Sequence, residues 1–106
     1  MVKVLVKRLN SKVKLPEYKT SGSSGMDLMA SIDSPIKIAP NTLELIPTGL
    51  SIAIPDDLEI QIRPRSGLAA KSNIGVLNTP GTIDSDYRGE LKIILFNHGN
   101  KDFIVN

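Results

Sequence analysis

Apolar side chains in this chain return at every second residue, and that period excludes a helical bundle. Leu58, Ile60 and Ile62 alternate with Glu59, Gln61 and Arg63, and Leu50, Ile52 and Ile54 alternate with Ser51 and Ala53. Val2, Val4 and Val6 alternate with Lys3, Leu5 and Lys7. Leu91, Ile93 and Leu95 alternate with Lys92, Ile94 and Phe96, where the second face is also mostly apolar. Successive side chains of an extended strand point to opposite faces, so each alternation marks a strand with one packed face. Turn formers punctuate the pattern at short intervals, as at Pro16, Pro35, Pro40, Pro47, Pro55 and Pro64. No window supports an amphipathic helix, and only Ser66 to Ser72 has the composition for one helical turn. The expectation is an all-β chain of many short strands in a sandwich or jelly-roll arrangement.

A chain of 106 residues is enough for one domain, expected to span 1–106. With no Trp and only 4% aromatic residues, its core has to come from Val, Ile and Leu. The absence of cysteine excludes disulfides, thiolate metal sites and a cysteine nucleophile, and it fits a reducing compartment. A net charge of +2 is too small and too scattered to indicate a nucleic-acid partner. Lys3, Lys7, Arg8, Lys12, Lys14 and Lys19 read as a solvated basic edge. Met1 to Leu9 alternates with Lys and lacks the apolar stretch of a signal peptide. No apolar run approaches the roughly 20 residues of a membrane span. These features give a cytoplasmic expectation with no membrane partner. The stretch Asp102 to Asn106 reads as a strand just beginning, either a short final edge strand or a strand cut short by truncation.

Three stretches carry more chemistry than turns require. In Ser24-Gly25-Met26-Asp27-Leu28, Gly25 permits a tight turn and Asp27 sits at a strand start, where it forms an Asx-type turn or holds an Arg or a metal-bound water. In Arg63-Pro64-Arg65-Ser66-Gly67, Pro64 stops a strand. A guanidinium, a hydroxyl and a glycine that allows close backbone approach then follow, a set suited either to phosphate oxygens or to a plain surface turn. The Gly-Lys spacing of a nucleotide P-loop is missing. The third stretch, Asn78-Thr79-Pro80-Gly81-Thr82-Ile83-Asp84-Ser85-Asp86-Tyr87-Arg88-Gly89-Glu90, combines an amide, paired acids, an aromatic and a base ahead of an apolar strand. An aspartate is only a weak base in bulk water, yet it can orient a held water and take its proton. Tyr87 offers a flat face to a sugar or base, and Asn78 offers both donor and acceptor to a nucleobase edge.

In this order and at about this spacing, the three stretches resemble the first three of five motifs of the trimeric dUTP pyrophosphatases (dUTPases), and the resemblance covers essentially the whole chain. It implies an all-β jelly-roll-like subunit in a homotrimer with active sites at subunit interfaces. The implied reaction hydrolyses dUTP to dUMP and pyrophosphate, which keeps uracil out of DNA and supplies dUMP for thymidylate synthesis. Mg²⁺ would be held mainly through the triphosphate and waters rather than by protein ligands. Carried over by position, Asp84 would activate the attacking water. Tyr87 would pack on the deoxyribose and leave no room for a 2′-hydroxyl. Asn78 and the hairpin backbone of Gly81, Thr82, Ile83 and Asp84 would read the uracil edge. Arg65, Ser66 and Gly67 would hold phosphates, Lys92 would line the pocket, and Asp27 would support through a charge partner or a water.

The family's fourth motif is expected to begin just after Asn106, with the fifth, a Gly- and Arg-rich closing tail, later still; neither is in the sequence. Two rival readings follow. A non-catalytic dUTPase-like module would bind nucleotide or a partner without turnover. A dCTP deaminase shares the fold, but relatives of that kind carry Asp-Pro-Gly and an aromatic where this chain has Asp84-Ser85-Asp86-Tyr87, and Glu90 is the only acid in the region where they place a catalytic Glu.

Overall fold

The computed structural model describes all 106 residues. It contains nine strands: β1 (Leu5–Arg8), β2 (Ile36–Ile38), β3 (Leu43–Pro47), β4 (Leu50–Ala53), β5 (Ile60–Ile62), β6 (Ile74–Val76), β7 (Gly81–Ile83), β8 (Lys92–Asn97) and β9 (Phe103–Val105). A single helix, α1 (Ser66–Ser72), lies between β5 and β6. Every pairing is antiparallel: β1 with β4, β2 with β9, β5 with β7, and a three-stranded sheet in the order β3-β8-β6. Helix α1 is not long and apolar enough to cross a membrane.

The alternation predicted from sequence places the core. Ile46 of β3 lies opposite Ile93 of β8, and Val76 of β6 lies opposite Leu95. Residues directly opposite in a ladder share a face, so these side chains form one apolar layer. Ile38, Ile46 and Val105 make a buried cluster against which Ala30, Ile32, Ile36, Leu95 and Phe103 pack, so the β2–β9 pair closes over part of that layer. All the buried hydrophobic residues are Val, Ile or Leu, as the composition required. Asn97 is the polar hub of this region. Its side-chain amide donates to the carbonyls of Ile38 and Lys101 and accepts from the Gly99 N–H, tying β8 to β2.

The other face of the same sheet is apolar too. Leu43 lies opposite Phe96 and Leu45 opposite Ile94, and the two leucines are 48% and 50% exposed. The shape is correspondingly open. A folded monomer of this mass exposes roughly 5,800 Å² of surface, whereas this chain of 11.5 kDa exposes 7543 Å².

Three expectations change. The N-terminal strand begins at Leu5 rather than Val2, and all four of its residues are exposed, so its alternation does not correspond to a packed face. The possible helical turn at Ser66 is a seven-residue helix. The Asn78 to Glu90 stretch is not a hairpin: β7 pairs with β5 in one sheet while β8 pairs with β3 and β6 in another. The loop after Ile83 therefore crosses between sheets. The C-terminal strand does find a pair, with Ile36 opposite Val105.

Candidate active site

The crossing loop is built by local bonds and then fastened to a distant turn. The Tyr87 N–H donates to the Asp84 carbonyl at 3.1 Å, closing a turn over Ser85 and Asp86. The Arg88 guanidinium folds back to donate to the Ser85 carbonyl at 2.6 Å. The Tyr87 hydroxyl donates to the Glu90 carbonyl at 2.8 Å, which lays the ring over Gly89. A Cβ at Gly89 would meet the Tyr87 hydroxyl at 2.5 Å, so a side chain there would displace the ring. Asp84 and Asp86 remain exposed and share an open recess with Asp56, Asp57 and Glu59.

Beyond Arg88 the loop is joined to the turn between β3 and β4 and to the first residues of β4. The Ser51 hydroxyl donates to the Arg88 carbonyl at 2.6 Å, and the Gly49 N–H donates to the Glu90 carboxylate at 3.0 Å. The Thr48 hydroxyl donates to the Leu91 carbonyl at 2.6 Å, and the Leu91 N–H donates to the Leu50 carbonyl at 2.8 Å. Gly49 is required by the backbone itself. Its φ is +69°, and an added Cβ would collide with Val13. Thr48, Gly49 and Ser51 were not among the residues singled out from sequence. The Pro47-Thr48-Gly49 run is a turn signature that marks the bend, but nothing local reveals that its partners lie some forty residues later.

On the N-terminal side of the crossing loop, Asn78 packs its side-chain amide against Gly81, where a Cβ would come within 3.0 Å of the amide nitrogen. Gly81 is buried, Ile83 half-buried and Thr82 exposed, an alternation set by pairing with Ile62, Gln61 and Ile60 of β5. Lys92 opens β8 opposite Pro47 and is exposed.

The basic stretch is held differently. Arg65 is the N-cap of α1 and no side chain caps the helix start, which leaves first-turn N–H groups free for an external acceptor. Ser66 and Gly67 are exposed, and no residue of α1 is buried. The Arg65 guanidinium faces the Asp27 carboxylate at 3.6 Å, with side-chain exposures of 72% and 37%. Thus Asp27 acts as a charge partner of Arg65, one of the alternatives read from the sequence. Asp27 and Arg65 border a groove with Lys14 and Lys19, separate from the recess that holds Asp84. Within one chain the candidate water-activating acid and the candidate phosphate site do not meet. No group of three or more acidic or histidine side chains converges on a point.

Comparisons with known proteins agree on one family. A family model described as dUTPase matches residues 11–106. The deoxyuridine 5′-triphosphate nucleotidohydrolase of Treponema denticola is 60% identical over 98 residues, covering 92% of this chain and 68% of that protein. The enzyme of the same name from Rickettsia massiliae is 56% identical over 106 residues, covering 99% of this chain and 72% of that protein. Among solved structures, a mutant dUTPase from phage phi11 of Staphylococcus aureus, described with a structural Mg(II) ion, superposes with a TM-score of 0.81 at 24% identity. The match covers 91% of this chain and 60% of that one. The dUTPase of Staphylococcus bacteriophage 80alpha, solved with dUpNHpp, superposes with a TM-score of 0.78 at 25% identity, covering 91% of this chain and 54% of that one. The fold is therefore the jelly-roll-like β fold of these proteins.

Proposed function

The chain belongs to the dUTPase family, and from that premise we propose that it hydrolyses dUTP to dUMP and pyrophosphate. The observation that carries the proposal is the crossing loop. It presents an exposed carboxylate and an aromatic ring together, three residues apart, on backbone fastened at both ends. Asp84 orients a water and takes its proton as the water oxygen attacks the α-phosphorus. The bond from that phosphorus to the α,β-bridging oxygen breaks, and pyrophosphate leaves. Positioning and charge neutralisation provide most of the acceleration in such a reaction. Tyr87 stacks on the deoxyribose and excludes a 2′-hydroxyl. Asn78 and the backbone of Gly81 to Ile83 read the uracil edge. Arg65, Ser66 and Gly67 bind phosphate oxygens, with Lys92 at the pocket wall.

The donor set fits Mg²⁺ held through the triphosphate. That ion keeps several waters and needs only one or two carboxylates, and Asp27 is a carboxylate beside the phosphate-binding arginine. When bound, the ion supplies charge neutralisation on the triphosphate.

The site is completed between copies in a trimer. Supporting this, Asp84 and Arg65 lie in separate recesses of one chain. The chain also exposes about 1,700 Å² more than a monomer of its mass. Each subunit of a cyclic trimer forms two interfaces, and a standard interface buries about 800 Å² per partner. The face formed by exposed Leu43 and Leu45 and half-buried Ile94 and Phe96 is the apolar surface such contacts need. A nucleotide substrate of this kind also accords with a cytoplasmic location.

The test is pyrophosphate release from dUTP with Mg²⁺, against UTP and dCTP as controls, on protein whose mass in solution has been measured. Release from dUTP by a trimer is expected. Ammonia release from dCTP would instead indicate a deaminase. That outcome is disfavoured by Glu90, whose carboxylate already accepts the Gly49 N–H. A folded trimer that binds dUTP without turnover would leave the non-catalytic reading.

A further inference from the structure

We propose that Glu90, through its bond to the turn between β3 and β4, is a positioning residue for sugar discrimination that acts on Tyr87. The inference rests on the dUTPase reading, in which Tyr87 packs on the deoxyribose.

The ring of Tyr87 is placed by its hydroxyl, which donates to the Glu90 carbonyl at 2.8 Å, and by the space left at Gly89. Wherever the Glu90 backbone goes, the ring follows. That backbone is in turn held by the residue's own side chain, whose carboxylate accepts the Gly49 N–H at 3.0 Å. Gly49 is a rigid anchor. It is buried, its φ of +69° favours glycine, Val13 closes the space a side chain would need, and its carbonyl accepts the Leu9 N–H at 2.8 Å. A buried backbone N–H needs an acceptor, and here the Glu90 carboxylate supplies it. Bonds to a carboxylate are stronger than neutral ones. Glu90 also differs from its acidic neighbours: Asp84 and Asp86 are exposed, while Glu90 is half-buried and points into the fold.

Excluding a 2′-hydroxyl demands that the ring be placed against the sugar with a tolerance well under an ångström. Without the Glu90 tie, the Tyr87 to Glu90 segment keeps only its weaker links, and the ring can retreat from a ribose.

The experiment measures kcat and KM for dUTP and UTP in the full-length protein and its Y87A, E90L, E90Q and S51A variants, with thermal melts as a folding control. E90L is expected to lower the ratio of kcat/KM for dUTP over UTP about tenfold, the scale of one charge-assisted bond. The change falls mainly on KM, with kcat for dUTP nearly preserved. E90Q keeps an oxygen for the Gly49 N–H and retains the ratio. S51A releases the neighbouring Arg88 tie and lowers the ratio less. An E90L ratio equal to wild type, while Y87A loses discrimination, would overturn the role of Glu90 and leave the dUTPase reading intact. Equal losses for both substrates in E90L and E90Q, tracking melting temperature, would also overturn it by reducing Glu90 to a purely structural part. If E90L does not fold, an unchanged S51A ratio overturns it. Absence of dUTP hydrolysis by the wild type overturns the dUTPase reading itself, and this inference with it.

Discussion

The loop from Asp84 to Leu91 and the stretch from Arg65 to Lys71 both offer chemistry to solvent, but they are held in opposite ways. The loop is tied by side-chain and backbone bonds at Asp84, Ser85, Arg88, Glu90 and Leu91, and its anchor turn contains a glycine whose φ and neighbours make any side chain there strained. The basic stretch is a short helix with no buried residue, an uncapped start and one ion pair at 3.6 Å to Asp27. The difference matches the roles proposed for the two parts. Water activation and sugar recognition fail if atoms move by an ångström. Phosphate binding rests on longer-ranged charge, which an exposed guanidinium held by one ion pair still delivers.

The comparison is sharpened first by D84N. Turnover of dUTP should fall by about 10³-fold, within the usual range for loss of a general base, while calorimetric titration still detects dUTP binding. Near-wild-type turnover would remove Asp84 from the chemistry. Next in size is G49A, which strikes the anchor without touching substrate. A left-handed conformation imposed on alanine, together with the clash at Val13, should cost about 2–3 kcal/mol. The melting temperature should drop by roughly 10 °C, and an unchanged melt would mean the anchor is not rigid. R65A tests the loose side. It should raise KM for dUTP about tenfold, the loss of roughly one charge-assisted phosphate contact, and leave the melting temperature within about 2 °C, as for an exposed position. A large melting shift would show that α1 is held more firmly than its exposure indicates. The smallest effect is expected from D27N. Because its pair with Arg65 is largely exposed, KM should change only about two- to threefold, as measured in the same assay.

Much of the fold was legible because alternation is a local property. The runs at Leu50, Leu58 and Leu91 became β4, β5 and β8, and the apolar second face of β8 appears as the Leu43, Leu45, Ile94 and Phe96 surface. Alternation misled at Val2 to Lys7, where Leu5 and Val6 form a strand with both faces exposed. A period of two reports what a strand could pack against, not whether this chain supplies it. The resemblance implied a hairpin within the Asn78 to Glu90 stretch, but β7 found β5 and β8 found β3 and β6. Pairing is set by which strands meet in the packed chain and not by which are neighbours in sequence.

The amino-acid sequence alone determined a nearly all-β chain with a Val, Ile and Leu core, and it singled out the groups proposed to bind a nucleotide and activate water. Residue type and short-range spacing carry that information. Only the tertiary structure decided that Glu90 faces Gly49, that Tyr87 is set by Glu90, that Arg65 pairs with Asp27, and that Asp84 stands apart from Arg65. These relations join residues from separate strands and loops. They depend on sheet register and on a positive-φ turn, and those are fixed when the whole chain packs.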